Sequence, residues 1–173
     1  MELRDSIVGA WRTSSRTTAF LIESLPPGLW DAALPEIPTR TVRSVGAHLH
    51  NSRSSWIKTL GKEHGIRTPD LVDRRGVTQG QLLAALPKSA EGIEAILELG
   101  LRHGGQIPGS KRYVWRNLPL DIGHVLSYFV AHEGHHRGQL VLAARQLRQR
   151  LPASATNGLW QWTTRSREAN TSL

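Results

Sequence analysis

The sequence predicts an all-α protein, an up-down-down-up type four-helix bundle with long connectors and a short C-terminal helical tail. Three observations support this fold class. Apolar residues recur with the period of about 3.6 residues of a helix in four long segments, and the chain carries little strand signal. The length of 173 residues is enough to build a full core without disulfides or a structural metal. We therefore expect a single domain spanning residues 1–173.

Capping residues, prolines and glycines bound the four predicted helices. Pro26 and Pro27 stop the first helix, and Thr41 and Thr78 are suited to cap the second and the third. A connector rich in glycine and proline, residues 104–120, precedes the last helix. The predicted helices comprise residues 2–25, 41–61, 78–101 and 121–150, and a tail around Leu159, Trp160 and Trp162 is expected to dock on the body.

Composition excludes several classes of function. The chain has no cysteine, which excludes a disulfide framework, thiolate metal ligands and a cysteine nucleophile. Its formal net charge is +8 and its pI is about 11.0, but the basic residues are spread along the chain, so we do not expect a nucleic-acid partner. No signal peptide is recognisable, and no stretch approaches the ~20 apolar residues of a membrane span. We expect a cytoplasmic protein with no membrane partner.

The stretch HEGHHRGQ, residues 132–139, places three histidines and a glutamate inside five positions of the last predicted helix. With about 100° per residue, His136 lies in the centre of the apolar stripe of this helix and His132 lies about 40° to one side. His135 lies about 100° away, on the flank. A neutral histidine in a core needs partners for its ring nitrogens, and two imidazoles one turn apart share one obvious partner, a metal ion.

Two histidines at positions i and i+4 can occupy neighbouring positions on one divalent ion, and a third ligand must then come from another helix. His48 and His50, on the second predicted helix, are the candidates. They lie on opposite flanks of its apolar stripe, each about 100° from Leu49, so periodicity leaves both open. Three neutral histidines keep the double charge of the ion and leave positions for water or substrate. Zinc, nickel and iron accept such ligands.

The letters HEGHH also match HExxH, the signature of zinc peptidases in which the glutamate is the general base. Two features argue against a peptidase. Gln139 and Leu142 stand where the longer pattern HExxHxxGxxH needs glycine and histidine, and the strands of a peptidase scaffold are missing. Glu133 lies about 60° from His136. It can reach a metal-bound water or pair with a cation such as Arg137, and both roles stay open.

Two motifs are similar to those of a known family. The second predicted helix carries TVRSVGAHLHNSRSSW, in which Trp56 follows His48 by eight residues, and the last predicted helix carries YFVAHEGHHRGQL. Together with the ending GLWQW, they resemble the DinB-like (DinB/YfiT-type) family of bacterial metal-binding four-helix bundles, over most of the chain from Thr41 onward. The resemblance implies that His48, His132 and His136 bind a divalent metal ion, zinc or nickel.

The resemblance also implies a function. We expect a metal-dependent enzyme that activates a low-molecular-weight thiol, as an S-transferase, or water, as a hydrolase, and that acts on a small-molecule substrate. The alternative is a non-catalytic metal-binding stress-response module. Relatives commonly form homodimers, so a homodimer is expected. Within the second motif we expect Gly138 to allow close helix packing and Gln139 to hydrogen-bond a ligand imidazole.

Overall fold

The computed structural model describes residues 2–35, 37–114 and 116–171. The fold is mostly helical, in agreement with the predicted all-α class, and it includes a small two-stranded sheet. None of the described helices is long and apolar enough to cross a membrane. The elements are α1 (Leu3–Glu23), α2 (Pro27–Trp30), β1 (Ala33–Leu34), β2 (Ile37–Thr41), α3 (Val42–Trp56) with a π-helical turn (Ile57–Gly61) and a 3-10 turn (Lys62–His64), α4 (Gln79–Arg102), α5 (Ile122–Gln146), α6 (Ala153–Gly158) and α7 (Trp162–Thr171).

Side-chain caps start three of the long helices where the sequence predicts them. Thr41 and Ser44 form a reciprocal capping box at the start of α3: the backbone N–H of Ser44 donates to Thr41 Oγ1 at 3.1 Å, and that of Thr41 donates to Ser44 Oγ at 3.0 Å. Thr78 and Gln81 form the same motif in front of α4. The carboxylate of Asp121 accepts a backbone N–H of the first turn of α5. These bonds satisfy N–H groups that lack a partner within the helix, and they fix where each helix begins.

The proline-rich connector between α1 and α3 is more ordered than the sequence predicts. It contains α2 and the antiparallel strands β1 and β2. The strands are two and five residues long, too short to show a clear alternation of polar and apolar residues. Trp30 of α2 is buried, and its indole N–H donates to the carbonyl oxygen of Val77 at 3.0 Å. The connector is thereby attached to the segment that leads into α4.

The long helices pack around two apolar clusters. α1 contacts α4 and α5, and α3 contacts the same two helices. Leu29 and Leu82 belong to the first cluster, and Trp11, Ile93 and Phe129 belong to the second. α3 and α5 are therefore neighbours in space although α4 lies between them in the sequence, and this contact brings the two histidine motifs together.

Gly92 allows α4 to lie close to the π-helical turn. A Cβ atom at this position would overlap the side chain of Ile57, which is fully buried and has little room to move. Glycine normally weakens the interior of a helix, because it gains more conformational freedom than other residues on unfolding. The close approach of the two elements therefore accounts for a glycine in the middle of α4.

The C-terminal tail docks on α1, although Trp160, one of the two indoles that suggested docking, is largely exposed. α7 contacts α1, and the guanidinium of Arg165 lies 3.9 Å from the centroid of the Phe20 ring. Trp160 is 84% exposed and Trp162 is 38% exposed. A buried cation–π contact thus anchors the tail, with two tryptophans left at the surface.

Candidate metal centre

Three histidines converge between α3 and α5. His48 lies on α3, and His132 and His136 lie one turn apart on α5. One ring nitrogen of each histidine lies within 4.8 Å of the other two, and all three side chains are partly buried. The Nε2 atoms of His48 and His132 are 3.2 Å apart. We refer to these three residues as the histidine cluster.

The separation between the ring nitrogens of His48 and His132 fits one shared divalent ion. Imidazole nitrogens bind zinc at about 2.0–2.1 Å, so two of them on a tetrahedral ion are about 3.3 Å apart. The distance of 3.2 Å between the Nε2 atoms of His48 and His132 matches this value. It also suits a hydrogen bond from a protonated ring nitrogen of one imidazole to the unprotonated nitrogen of the other. The cluster is therefore compatible with metal binding, and three imidazoles suit zinc, nickel or iron.

Burial keeps the histidine cluster uncharged at neutral pH. It lowers the pKa of His48 to about 4, assisted by the neighbouring imidazoles of His136 and His132. Burial also lowers the pKa of His132 to about 4, again with His136 beside it. The pKa of His136 is lowered by burial against the opposing effect of its hydrogen bond with Gln139. Because a metal binds the unprotonated nitrogen, the cluster can present its lone pairs without first releasing protons.

Gln139 orients one imidazole of the cluster. Its Oε1 atom lies 2.7 Å from Nδ1 of His136. An amide oxygen only accepts, so Nδ1 carries the proton and Nε2 keeps the free lone pair. This is the hydrogen bond expected from the second motif. The role expected for Gly138 is wrong, because a Cβ atom there would meet nothing within 4 Å among the described residues, so no close helix packing requires a glycine.

Aromatic side chains line the cluster on one side. The ring of Tyr128 stacks on that of His132, with centroids 6.0 Å apart and an angle of 17° between the planes. Trp56 packs edge-on against Tyr128 at 5.3 Å, and Tyr113 from the connector before α5 lies 6.0 Å from Trp56. Trp56 therefore supports the ring that packs on His132. The sequence carried a signal for Tyr128, which precedes His132 by four residues and shares its face of α5.

His50 lies outside the cluster. Its Nδ1 atom is 3.0 Å from Ser89 Oγ, its Nε2 atom is 2.8 Å from the carbonyl oxygen of Asp70, and its side chain is 1% exposed. Both ring nitrogens of His50 therefore have protein partners. Of the two candidates on the second predicted helix, the structure places His48 beside the α5 histidines. His135 is exposed, in agreement with its predicted position on the flank.

Glu133 belongs to a buried ionic network. It is 1% exposed, and its two carboxylate oxygens accept from Arg53 Nε at 2.6 Å and from the hydroxyl of Thr18 at 2.7 Å. Arg137 lies 3.6 Å from the same carboxylate. Of the two roles left open for Glu133, the structure shows pairing with cations, which argues further against a peptidase base. Sequence reasoning missed Arg53, although this arginine lies within about 40° of Leu49 in the apolar stripe of α3 and so needs a buried anion.

The fold and the site define a helical protein with a three-histidine cluster that can hold a divalent metal ion. Residues 111–166 match the model of the DinB family, in agreement with the resemblance seen in the sequence. His132 and His136 lie inside the matched segment, and His48 lies before it. No curated protein matches the chain.

Proposed function

We propose that the protein binds one divalent metal ion, zinc or nickel, through His48, His132 and His136, and that it is a metal-dependent enzyme acting on a small molecule. The observation that carries this proposal is the convergence of three imidazoles on α3 and α5, with ring nitrogens within 4.8 Å of one another. The lowered pKa values of His48 and His132 support the proposal, because both imidazoles are uncharged at neutral pH. The match to the DinB family supports it independently.

The residues around the cluster would hold such a site in one geometry. Gln139 fixes the proton of His136 on Nδ1 and leaves Nε2 for the ion. Tyr128 packs on the face of His132 and restricts its rotation. Three neutral ligands leave the charge of the ion intact, and when bound the ion would lower the pKa of a thiol or a water molecule.

The nucleophile in this proposal comes from outside the chain. The sequence contains no cysteine, and both carboxylate oxygens of Glu133 are engaged in hydrogen bonds. We therefore propose a low-molecular-weight thiol, in an S-transferase, or water, in a hydrolase.

The further proposals are that α1, α3, α4 and α5 form the up-down-down-up bundle, that the protein is a homodimer and that it acts in the cytoplasm.

Metal content tests the site. Protein purified without an affinity tag should contain about one divalent ion per chain by elemental analysis. His48→Ala and His132→Ala should each lower the zinc affinity strongly. His50→Ala is the matched control, because His50 lies two residues from His48 on the same helix but bonds Ser89 and Asp70, and it should keep wild-type affinity. A wild-type protein that stays metal-free after incubation with zinc and with nickel would contradict the proposal.

A reaction screen tests catalysis. The metal-loaded protein is incubated with electrophiles in the presence of bacillithiol, mycothiol or glutathione, and separately with esters and amides without a thiol. Thiol-dependent turnover that is lost in His132→Ala supports the transferase, and thiol-independent turnover lost in the same variant supports the hydrolase. Metal binding without turnover under any of these conditions would favour the non-catalytic stress-response module instead.

A further inference from the structure

A buried ion pair joins the two helices that carry the histidine cluster. Arg53 lies on α3 and Glu133 lies on α5, and each residue is 1% exposed. Arg53 Nε donates to Glu133 Oε1 at 2.6 Å. Charged side chains are almost never buried this completely unless they are paired. The pair is therefore a specific contact between α3 and α5 inside the core.

The ion pair lies close to the cluster along both helices. Arg53 follows His48 by five residues on α3, and Glu133 is adjacent to His132 on α5. A shift of α5 by one residue along its axis moves a side chain by about 1.5 Å, and a shift by one turn moves it by about 5.4 Å. Either shift would move Glu133 beyond hydrogen-bonding distance of Arg53 and leave the Arg53 guanidinium buried without its anion. The pair thus disfavours other registers of the two helices.

Groups from the other two long helices hold the pair in one orientation. The Arg53 guanidinium donates from Nη1 to the carbonyl oxygen of Leu86 on α4 at 3.2 Å and lies 5.0 Å from the ring centroid of Trp11 on α1. On the other side, the hydroxyl of Thr18 on α1 donates to Glu133 Oε2 at 2.7 Å. Each charged group is therefore fixed by contacts with α1, α4 or both, as well as by its partner.

We propose that Arg53 and Glu133 are positioning residues that set the register of α3 against α5, so that His48 meets His132 and His136. This inference rests on the proposed function of the cluster as a metal site. Stability alone is a weak reason for the pair, because buried ion pairs can often be replaced by uncharged residues at little cost in stability. A buried ion pair between two helices is instead suited to fixing the register of one helix against the other.

The test compares two double variants. R53M/E133Q removes both charges and leaves a side-chain oxygen for Thr18. The control, R12M/E94Q, removes a pair between α1 and α4, in which Arg12 Nε donates to Glu94 Oε2 at 2.7 Å. Zinc affinity is measured by competition with a chelator, and the cobalt(II) visible spectrum reports ligand geometry. We expect R53M/E133Q to lose about 10- to 100-fold in affinity, as for residues that orient metal ligands, with a changed cobalt spectrum. The control should stay close to wild type in both.

Two further measurements test the positioning role if the double variant does not fold or if the protein binds no metal. If circular dichroism shows that R53M/E133Q is unfolded, R53K tests the positioning role instead. Lysine keeps the positive charge, but it cannot contact Glu133 and Leu86 at the same time as the guanidinium does. R53K should weaken zinc binding, and R12K should not. Without any metal, a nuclear Overhauser contact between the rings of His48 and His132 should be present in the wild type and in R12M/E94Q and lost in R53M/E133Q.

The outcomes separate this inference from the proposed metal site. A folded R53M/E133Q, or R53K if the double variant is unfolded, with wild-type zinc affinity and an unchanged cobalt spectrum would overturn the positioning role. If the wild type binds no metal, the proposed function fails, and the contact between the two rings then decides the positioning role alone. Retention of that contact in R53M/E133Q would overturn it, and its loss in R53M/E133Q but not in R12M/E94Q would support it.

Discussion

The hydrogen bond between Gln139 and His136 determines which ring nitrogen of His136 is free. Gln139→Ala should let the imidazole rotate and change tautomer, and we expect the affinity for zinc to fall about tenfold. Isothermal titration calorimetry measures the change. Gly138→Ala is the control, because the new methyl group meets nothing within 4 Å and the affinity should not change. Equal affinities of the wild type and Gln139→Ala would show that the hydrogen bond does not orient the site.

The low pKa values of His48 and His132 predict how the stability of the metal-free protein depends on pH. Both fall from 6.5 to about 4 in the folded state, chiefly by burial. Between these values the unfolded chain binds more protons than the folded chain, so the free energy of unfolding decreases as pH falls through this window. Urea unfolding at pH 7 and pH 5 measures the difference. In the double variant His48→Asn, His132→Asn the decrease should be smaller, and an equal decrease would assign it to other groups.

Helical periodicity could not predict whether His48 or His50 joins the histidine cluster. Helical phase put both about 100° from Leu49, and nothing local distinguishes them. Their environments differ because both ring nitrogens of His50 are hydrogen-bonded. One contacts the hydroxyl of Ser89 on α4, and the other contacts the carbonyl oxygen of Asp70 in the loop before α4. These partners are defined by tertiary contacts. Only the family resemblance indicated His48 in advance.

At the level of elements, Gly92 makes a testable contribution to the packing of α4 on the π-helical turn. Gly92→Ala would force its methyl group into Ile57, and overpacking of this kind costs about 1–3 kcal/mol. Chemical denaturation should therefore show a lower free energy of unfolding. Gly80→Ala, in the same helix, is the control, because its methyl group meets no atom within 4 Å and should not lower stability. If both variants match the wild type, the packing around Gly92 is looser than the distances indicate.

Long helices were predictable and short strands were not, for a physical reason. Thr41 and Thr78 carry the chemistry of a helix start in their own side chains, so the beginnings of α3 and α4 follow from local sequence. β1 and β2 are stabilised by pairing with each other and have no comparable local signal. The pair of Arg53 and Glu133 also depends on tertiary contact, although an arginine in an apolar stripe indicates that a buried anion is needed.

For the whole molecule, a bound ion would link α3 to α5 and stabilise the folded state over the unfolded one. At a free ion concentration about 100 times the Kd, the gain is about 2.7 kcal/mol, which corresponds to about 5–10 °C in Tm for a chain of this size. Adding a chelator to the zinc-loaded protein should lower Tm by this amount in differential scanning calorimetry. The Tm of His132→Ala should not respond to the chelator. A wild-type Tm that is insensitive to zinc and to the chelator would contradict an ion bound only by the folded state.

The sequence distance between His48 and His132 has a consequence for biosynthesis. The two residues are 84 positions apart, with all of α4 between them, yet their Nε2 atoms lie 3.2 Å from each other. A nascent chain that has completed α4 contains His48 but neither of its two partners. The three imidazoles can converge only after α5 has left the ribosome and packed on α3, so a nascent chain cannot take up an ion at the complete site before that stage.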